Sequence, residues 1–220
     1  ARRVVIHEEV CEGCGDCGKK SGCLSVLPVE TALGRKRKID QSSCNKDFSC
    51  VEGFCPSFVS VAGAKVRKPG GAAASLASMP SLPQPQLPGV HEPFGIMVTG
   101  VGGTGVVTIG QVLAMAAHLD NKGVTVLDMA GLAQKGGSVW SHVRIADSQE
   151  KLHAVRIAAG DANLVLGCDL VVTAAEEALA KMREGFSHVV VNNYESPTSA
   201  FLKNPDVRFP AKAMKDAIVE

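Results

Sequence analysis

The chain has 220 residues, 45% of them hydrophobic, enough for one large or two small buried cores, which excludes disorder throughout. Its 23 Lys and Arg against 22 Asp and Glu give a net charge of +1, so no overall field exists to hold nucleic acid or an anionic membrane. No apolar run reaches the roughly eighteen residues that span a bilayer. Ala1-Arg2-Arg3-Val4 leads into no secretory core, so a cytoplasmic protein is expected. The Ala start suggests a processed product or an excised piece of something longer.

Charge and cysteine are both unevenly spread. Residues 1–68 hold 12 Lys or Arg and 8 Asp or Glu, while residues 69–220 hold 11 and 14, giving +4 and −3. Seven of the eight cysteines, Cys11, Cys14, Cys17, Cys23, Cys44, Cys50 and Cys55, fall in the first 55 residues. Disulfide staples are one account, weakened by the odd number and the lack of an export signal. A zinc ribbon is another, but a third cysteine at the same interval in CEGCGDC is superfluous for tetrahedral zinc.

Three thiolates at intervals of three can wrap a loop around a cubane, the fourth iron being reached by a distant cysteine that precedes proline. Cys11, Cys14 and Cys17 supply the first three, and Cys55-Pro56 the fourth, so a [4Fe–4S] cluster is expected there. Gly13, Gly15 and Gly18 suit a loop this tight. The second run, SSCNKDFSCVEGFCP, puts Asp47 where a middle cysteine would stand between Cys44 and Cys50. By the crossover of two-cluster ferredoxins, Cys23 would join Cys44 and Cys50, with Asp47 as a harder oxygen ligand or as a vacancy. The site is then [4Fe–4S], [3Fe–4S] or empty; in the bland alternative the three cysteines pack in a small core and Asp47 caps a turn. Between the runs, Arg35-Lys36-Arg37-Lys38 reads either as a solvated turn or as a patch that steers an acidic electron carrier.

From Lys68 the text turns to Pro, Gly, Ala and Ser with almost no charge and reads as a tether ending near Pro93. Phe94–Thr99 is then a short apolar strand, followed by GVGGTG and by VVTIGQVLAMAAHL at helical spacing. Further strands are expected at VTVLDM, VWSHVRIA, ANLVLG with DLVVTA, and HVVVN, with EEALAKMREG as a helix. Strands this continuously apolar, alternating with helices, imply a parallel two-sided α/β sheet.

Gly100, Gly102 and Gly105 fit G-x-G-x-x-G, with Gly103 inside the same turn, and Asp128 lies near where a dinucleotide fold puts its ribose acid. That motif suits NAD, but any parallel sheet wants a tight first turn there. Gln134-Lys135-Gly136-Gly137 is expected as a polar loop at the ligand-binding edge. His142 reads as a satisfied sheet residue, Trp140 as core or interface and Cys168 as a buried small hydrophobe. No nucleophile–base–acid constellation emerges, so no catalytic residue is assigned.

Together, CEGCGDCGKKSGC, IDQSSCNKDFSCVEGFCPSF, GVGGTGVVTIG and LDMAGLAQKGGSVWSHVRIA resemble the fused indolepyruvate ferredoxin oxidoreductases of the 2-oxoacid:ferredoxin oxidoreductase family. The resemblance implies a ferredoxin-type iron–sulfur domain over 1–63, a linker over 64–93 and a gamma-type α/β domain over 94–220. It further implies oxidative decarboxylation of an arylpyruvate on thiamine diphosphate and Mg, with coenzyme A as co-substrate, ferredoxin as acceptor and a homo-oligomeric assembly. No thiamine-binding segment with a Gly-Asp-Gly start occurs in the sequence, so an internal fragment, inactive alone in decarboxylation, is expected to work with the remaining thiamine diphosphate domains. In this family electrons leave to ferredoxin, which turns the glycine motif away from nicotinamide. An NAD-linked iron–sulfur subunit is the alternative.

Overall fold

The computed structural model describes residues 2–63, 83–131, 136–196, 198, 204 and 206–220. The cysteine-rich part is built from two antiparallel pairs. Strand β1 (Arg2–Ile6) pairs with β4 (Phe58–Ala62), and β2 (Val26–Thr31) with β3 (Gly34–Ile39). Helix α1 (Asp16–Ser21) and a 3-10 turn (Ser49–Val51) lie between them. So little apolar material is available that cysteines help to form the core: Ile6, Cys11 and Val26 are buried, with Cys17, Cys23 and Cys50 packed around them.

Strand β5 (Phe94–Val101), helix α2 (Val106–Leu119), β6 (Gly123–Ala130) and β7 (Ser138–Ala146) open the second part. They are followed by β8 (Leu164–Gly167), two short helices α3 (Leu170–Thr173) and α4 (Glu176–Leu179), β9 (His188–Val191) and α5 (Ala211–Val219). The five strands run in the order β6-β7-β5-β8-β9. This is a mixed α/β sheet rather than the expected parallel one, because β7 lies antiparallel to both β5 and β6. The cause is chain length: residues 131–137, between β6 and β7, are too few for a parallel crossover, which takes a dozen or more.

Both faces of the sheet are covered. Ile96 and Val98 point to one side, where Val106, Ile109 and Leu113 of α2 meet them. Met97 points to the other, against Ile157, Ala162, Val165 and Ala178. The strand expected at DLVVTA is helix α3, because the buried Asp169 turns its carboxylate onto the Val172 N–H at 2.9 Å and so starts a helix there. The helix expected over EEALAKMREG is regular only from Glu176 to Leu179. Of the expected linker, residues 64–82 lie outside the described residues, as do Gln134 and Lys135 of the polar loop. Among the described residues no helix is long and apolar enough to cross a membrane.

His142, 2% exposed, sits inside β7 and accepts the Ile157 N–H at its Nδ1, 3.4 Å away. Burial, with the charges of Arg156 and Lys181 adding to it, pushes its pKa from 6.5 down to about 4. The unfolded chain therefore takes a proton that the folded chain refuses. Its contribution is whole above pH 6.5, shrinks as pH falls towards about 4 and is flat below. The loss is at most about 3 kcal/mol. Urea midpoints followed from pH 7 to pH 4 should fall more steeply for the wild type than for His142→Gln; equal slopes would show that His142 does not set this dependence.

Candidate functional site

Glycines shape the first cysteine loop. Gly13 and Gly15 both have φ of 79°, a left-handed turn that lets the chain curl back twice within five residues. Gly13 could be nothing larger, since a Cβ there would land on the Arg35 carbonyl oxygen of β3. Its N–H points at Cys11 Sγ, 3.4 Å away. Cys11, Cys14, Cys17 and Cys55 together line a cavity of about 440 Å³, closed by Ile6, Pro56 and Phe58 and bordered by Cys50. Burial pushes the Cys17 thiol up to about 11; the Gly18 N–H opposes this, while charge on Cys11, Cys14 and Cys55 adds to it.

The other cysteines form their own set. Burial again raises the Cys50 thiol, reinforced by Cys23, Cys44 and Asp47. None of the seven is in a disulfide. The structure thus brings the residues read from the sequence into two neighbourhoods, Cys11, Cys14, Cys17 and Cys55 in one, and Cys23, Cys44, Cys50 and Asp47 in the other, with Cys50 on the boundary. Among the described residues no three His, Cys, Asp or Glu gather on a single metal ion. A cubane asks for a wider ring, one thiolate at each corner. The donor set, the cavity and the N–H groups aimed at sulfur fit such a cluster.

The basic run is not a free patch. Arg35 and Arg37 face inwards from β3, and Arg37 is 3% exposed. Arg35 Nε donates to Glu30 at 2.6 Å and its Nη1 to the Val207 carbonyl at 2.8 Å. Arg37 lies 3.8 Å from Asp206, and Arg208 lies 4.0 Å from Glu30. The hairpin β2–β3 is therefore clamped to the segment 206–208 of the other part. The sequence missed this because the residues lie about 170 positions apart.

The glycine turn joins β5 to α2. Gly102 N–H donates to the Gly137 carbonyl at 2.8 Å, and Gly105, with φ of 96°, caps α2 with no side chain on the helix N–H groups. Val101, Gly102, Gly103, Gly105, Val106 and Thr108 line a cavity of about 260 Å³. A second, of about 570 Å³, lies where this turn meets the cysteine-rich part: Leu24, Ser42, Ser43 and Asn45 face Gly102, Gly103, Thr104, Gly136 and Ser196. Asp169 fixes the turn from beneath, its Oδ2 accepting the Val101 N–H at 2.6 Å. Asp128 is not where a dinucleotide fold needs it. It is exposed on β6, accepts from Gln111 Nε2 at 3.2 Å, and is separated from β5 by the whole of β7. In a nicotinamide-binding half the second strand lies directly beside the first.

The structure is thus a mixed α/β domain with a glycine turn, beside a cysteine-rich module whose thiols fall into two sets. Residues 95–219 match the family described as pyruvate ferredoxin/flavodoxin oxidoreductase, and the chain belongs to that family, with a gamma-type domain in this region. Among curated proteins it is similar to the indolepyruvate oxidoreductase subunit IorB of Methanothermobacter thermautotrophicus, 33% identical over 112 residues, which cover 51% of this chain and 54% of that one. The subunit of the same name from Archaeoglobus fulgidus is 42% identical over 59 residues, 27% of this chain and 29% of that one. The chain thus spans about half the length, or less, of these relatives. Among solved structures, the pyruvate oxidoreductase subunit PORC of Thermotoga maritima is similar at 22% identity and a TM-score of 0.38, over 47% of this chain and 52% of that one.

Proposed function

We propose that this chain is the electron-transfer and gamma-domain portion of an enzyme that oxidatively decarboxylates an arylpyruvate, with coenzyme A and ferredoxin as acceptors. Indolepyruvate is the substrate for which the curated relatives are named. Thiamine diphosphate and Mg²⁺ would belong to other domains or subunits of a homo-oligomeric assembly. The observation that carries the reading is the sorting of seven thiols into two sets, in the same chain as the family domain.

Cys11, Cys14, Cys17 and Cys55 would hold a first [4Fe–4S] cluster, and Cys23, Cys44 and Cys50 a second. Such a cluster, when bound, takes up and gives off one electron at a time. The chain's own part is to set how readily it does so. The N–H groups of Gly13 and Lys46 point at Cys11 Sγ and Cys44 Sγ, each at 3.4 Å, and donors to the sulfurs favour the reduced state. The Arg35 and Arg37 clamp holds this wiring against the domain that carries the glycine turn. At that turn the open N–H groups at the start of α2 would take an anion such as the pyrophosphate of coenzyme A.

Reconstitution of the whole chain with iron and sulfide under anaerobic conditions tests the reading. The expected product is brown, contains iron and sulfide but little zinc, and, once reduced, passes electrons to ferredoxin without decarboxylating indolepyruvate. Cys14→Ser should lower the bound iron while leaving the second set loaded. A colourless zinc protein would overturn the cluster assignment, and saturable NAD(H) binding with no transfer to ferredoxin would favour an NAD-linked subunit.

A further inference from the structure

The two cysteine runs follow one backbone path. In the first, the second and fourth residues after Cys11 are Gly13 and Gly15, both left-handed; in the second, the same offsets after Cys44 fall on Lys46 and Phe48, both at φ of 62°. The N–H two residues on points at the leading sulfur in each, at 3.4 Å from Gly13 to Cys11 and from Lys46 to Cys44. Each run then enters a helical turn directly after its second left-handed residue, at Asp16 and at Ser49. Asp47 therefore stands at the backbone position that Cys14 holds in the first loop.

This path is maintained at a cost. A non-glycine residue in the left-handed region loses about 1–2 kcal/mol, and the second loop holds two of them. Phe48 is kept in place by the Arg2 guanidinium, 4.8 Å from the centre of its ring. Asn121, the other described non-glycine residue at positive φ, stands alone where α2 ends, whereas these two flank Asp47. Strain retained at a defined pair of positions points to what the loop holds. Asp47 also orients its carboxylate as the cysteines orient their sulfurs: Oδ1 accepts the N–H two residues on, from Ser49, at 3.2 Å, and the Ser49 hydroxyl at 3.1 Å. The side chain is exposed, so an ion held there is within reach of solvent.

We propose that Asp47 gives an oxygen ligand to the fourth corner of the cluster held by Cys23, Cys44 and Cys50, and that the iron at this corner exchanges with divalent metal in solution. The inference rests on the second cluster of the preceding reading and says what that site does. A carboxylate is a harder, more weakly held partner for iron than a thiolate, so this corner opens while the other three stay closed. The balance needs no electron. A [4Fe–4S]²⁺ cluster that releases Fe²⁺ leaves [3Fe–4S]⁰, the three thiolates remain bound and the Asp47 carboxylate is freed. A one-electron oxidant such as ferricyanide then converts [3Fe–4S]⁰ to the paramagnetic [3Fe–4S]⁺.

The test uses the reconstituted whole chain, a chelator and then ferricyanide, with iron content and the EPR spectrum as readouts. The wild type should lose one iron per chain and develop a three-iron signal, which added Fe²⁺ removes after re-reduction. Asp47→Cys should slow that loss by roughly tenfold or more, since even outer-shell changes at metal sites shift affinity by about 10–100-fold. Asp47→Ala should show the three-iron signal from the start, which also guards against a variant that merely fails to fold. A second cluster that keeps its fourth iron in wild type and Asp47→Cys alike overturns the inference. A chain that loads the first site alone, whatever stands at position 47, overturns the underlying reading instead.

Discussion

Replacing Gly13 with Ala should empty the proposed first cluster site while leaving the α/β domain intact. Two penalties coincide at this position. The left-handed φ of 79° costs an Ala about 1–2 kcal/mol. The added Cβ would also meet the Arg35 carbonyl oxygen, a backbone atom, and β3 cannot retreat because Arg35 is tied to both Glu30 and Val207. The loop must therefore lift away, carrying Cys11 and Cys14 out of the ring they form with Cys17 and Cys55. Gly22→Ala is the matched control. Gly22 is also left-handed, at φ of 60°, yet a Cβ there would meet nothing within 4 Å, so this variant bears the conformational penalty alone. Iron content after reconstitution should fall in Gly13→Ala and stay near wild type in Gly22→Ala. Equal losses would mean that backbone conformation, not the contact with β3, decides.

Asp169→Asn should destabilise the second part by roughly 2–5 kcal/mol, although the side chain hardly changes shape. Asp169 is fully buried, and its two oxygens accept from different elements, Oδ2 from the Val101 N–H and Oδ1 from the Val172 N–H. An amide has one acceptor, so one of the two N–H groups would face an NH₂ and remain unsatisfied. The damage should spread, because Thr173 Oγ1 donates to the Asp169 carbonyl at 2.5 Å and shares a bond of 2.8 Å with Thr99 Oγ1 of β5. Hydrogen exchange should show the Val101 amide opening first, before amides of β6. A denaturation midpoint within error of wild type would mean that the glycine turn does not depend on this carboxylate.

The parts legible in the sequence are those set by local spacing. The three-residue cysteine interval, the break after Pro93 and the helix at Val106–Leu119 each follow from periods or punctuation within a dozen residues. The direction of β7 was also within reach: seven residues between VTVLDMA and SVWSHVRIA allow a hairpin and forbid a crossover. Apolar run length and loop length point opposite ways here, and loop length decides. DLVVTA misled for a related reason, since its β-branched residues suit a strand while the Asp before them suits a helix start, and the buried Asp169 decided for the helix. The spacing already set Asp47 in a middle cysteine's place, but the backbone path the two loops share lay beyond the text, because Lys46 and Phe48 look nothing like Gly13 and Gly15. Only their dihedral angles reveal it. The Arg35 and Arg37 clamp was equally hidden, being a contact between opposite ends of the chain.

The strand order dictates when a nascent chain can fold. Strands β1 and β4 can meet as soon as Ala62 has emerged, so the cysteine-rich module can close while the rest is still being made. The next unit has no such opportunity. β5, buried along nearly its whole length, is flanked by β7 and β8, which arrive only with residues 138–146 and 164–167. At about 5–20 residues per second, its apolar edges wait unpaired for several seconds beside the ribosome. Arg35 and Arg37 wait longer still, until residues 206 and 207 appear. Docking of the cysteine-rich module onto the α/β sheet thus has to follow the pairing of its own strands.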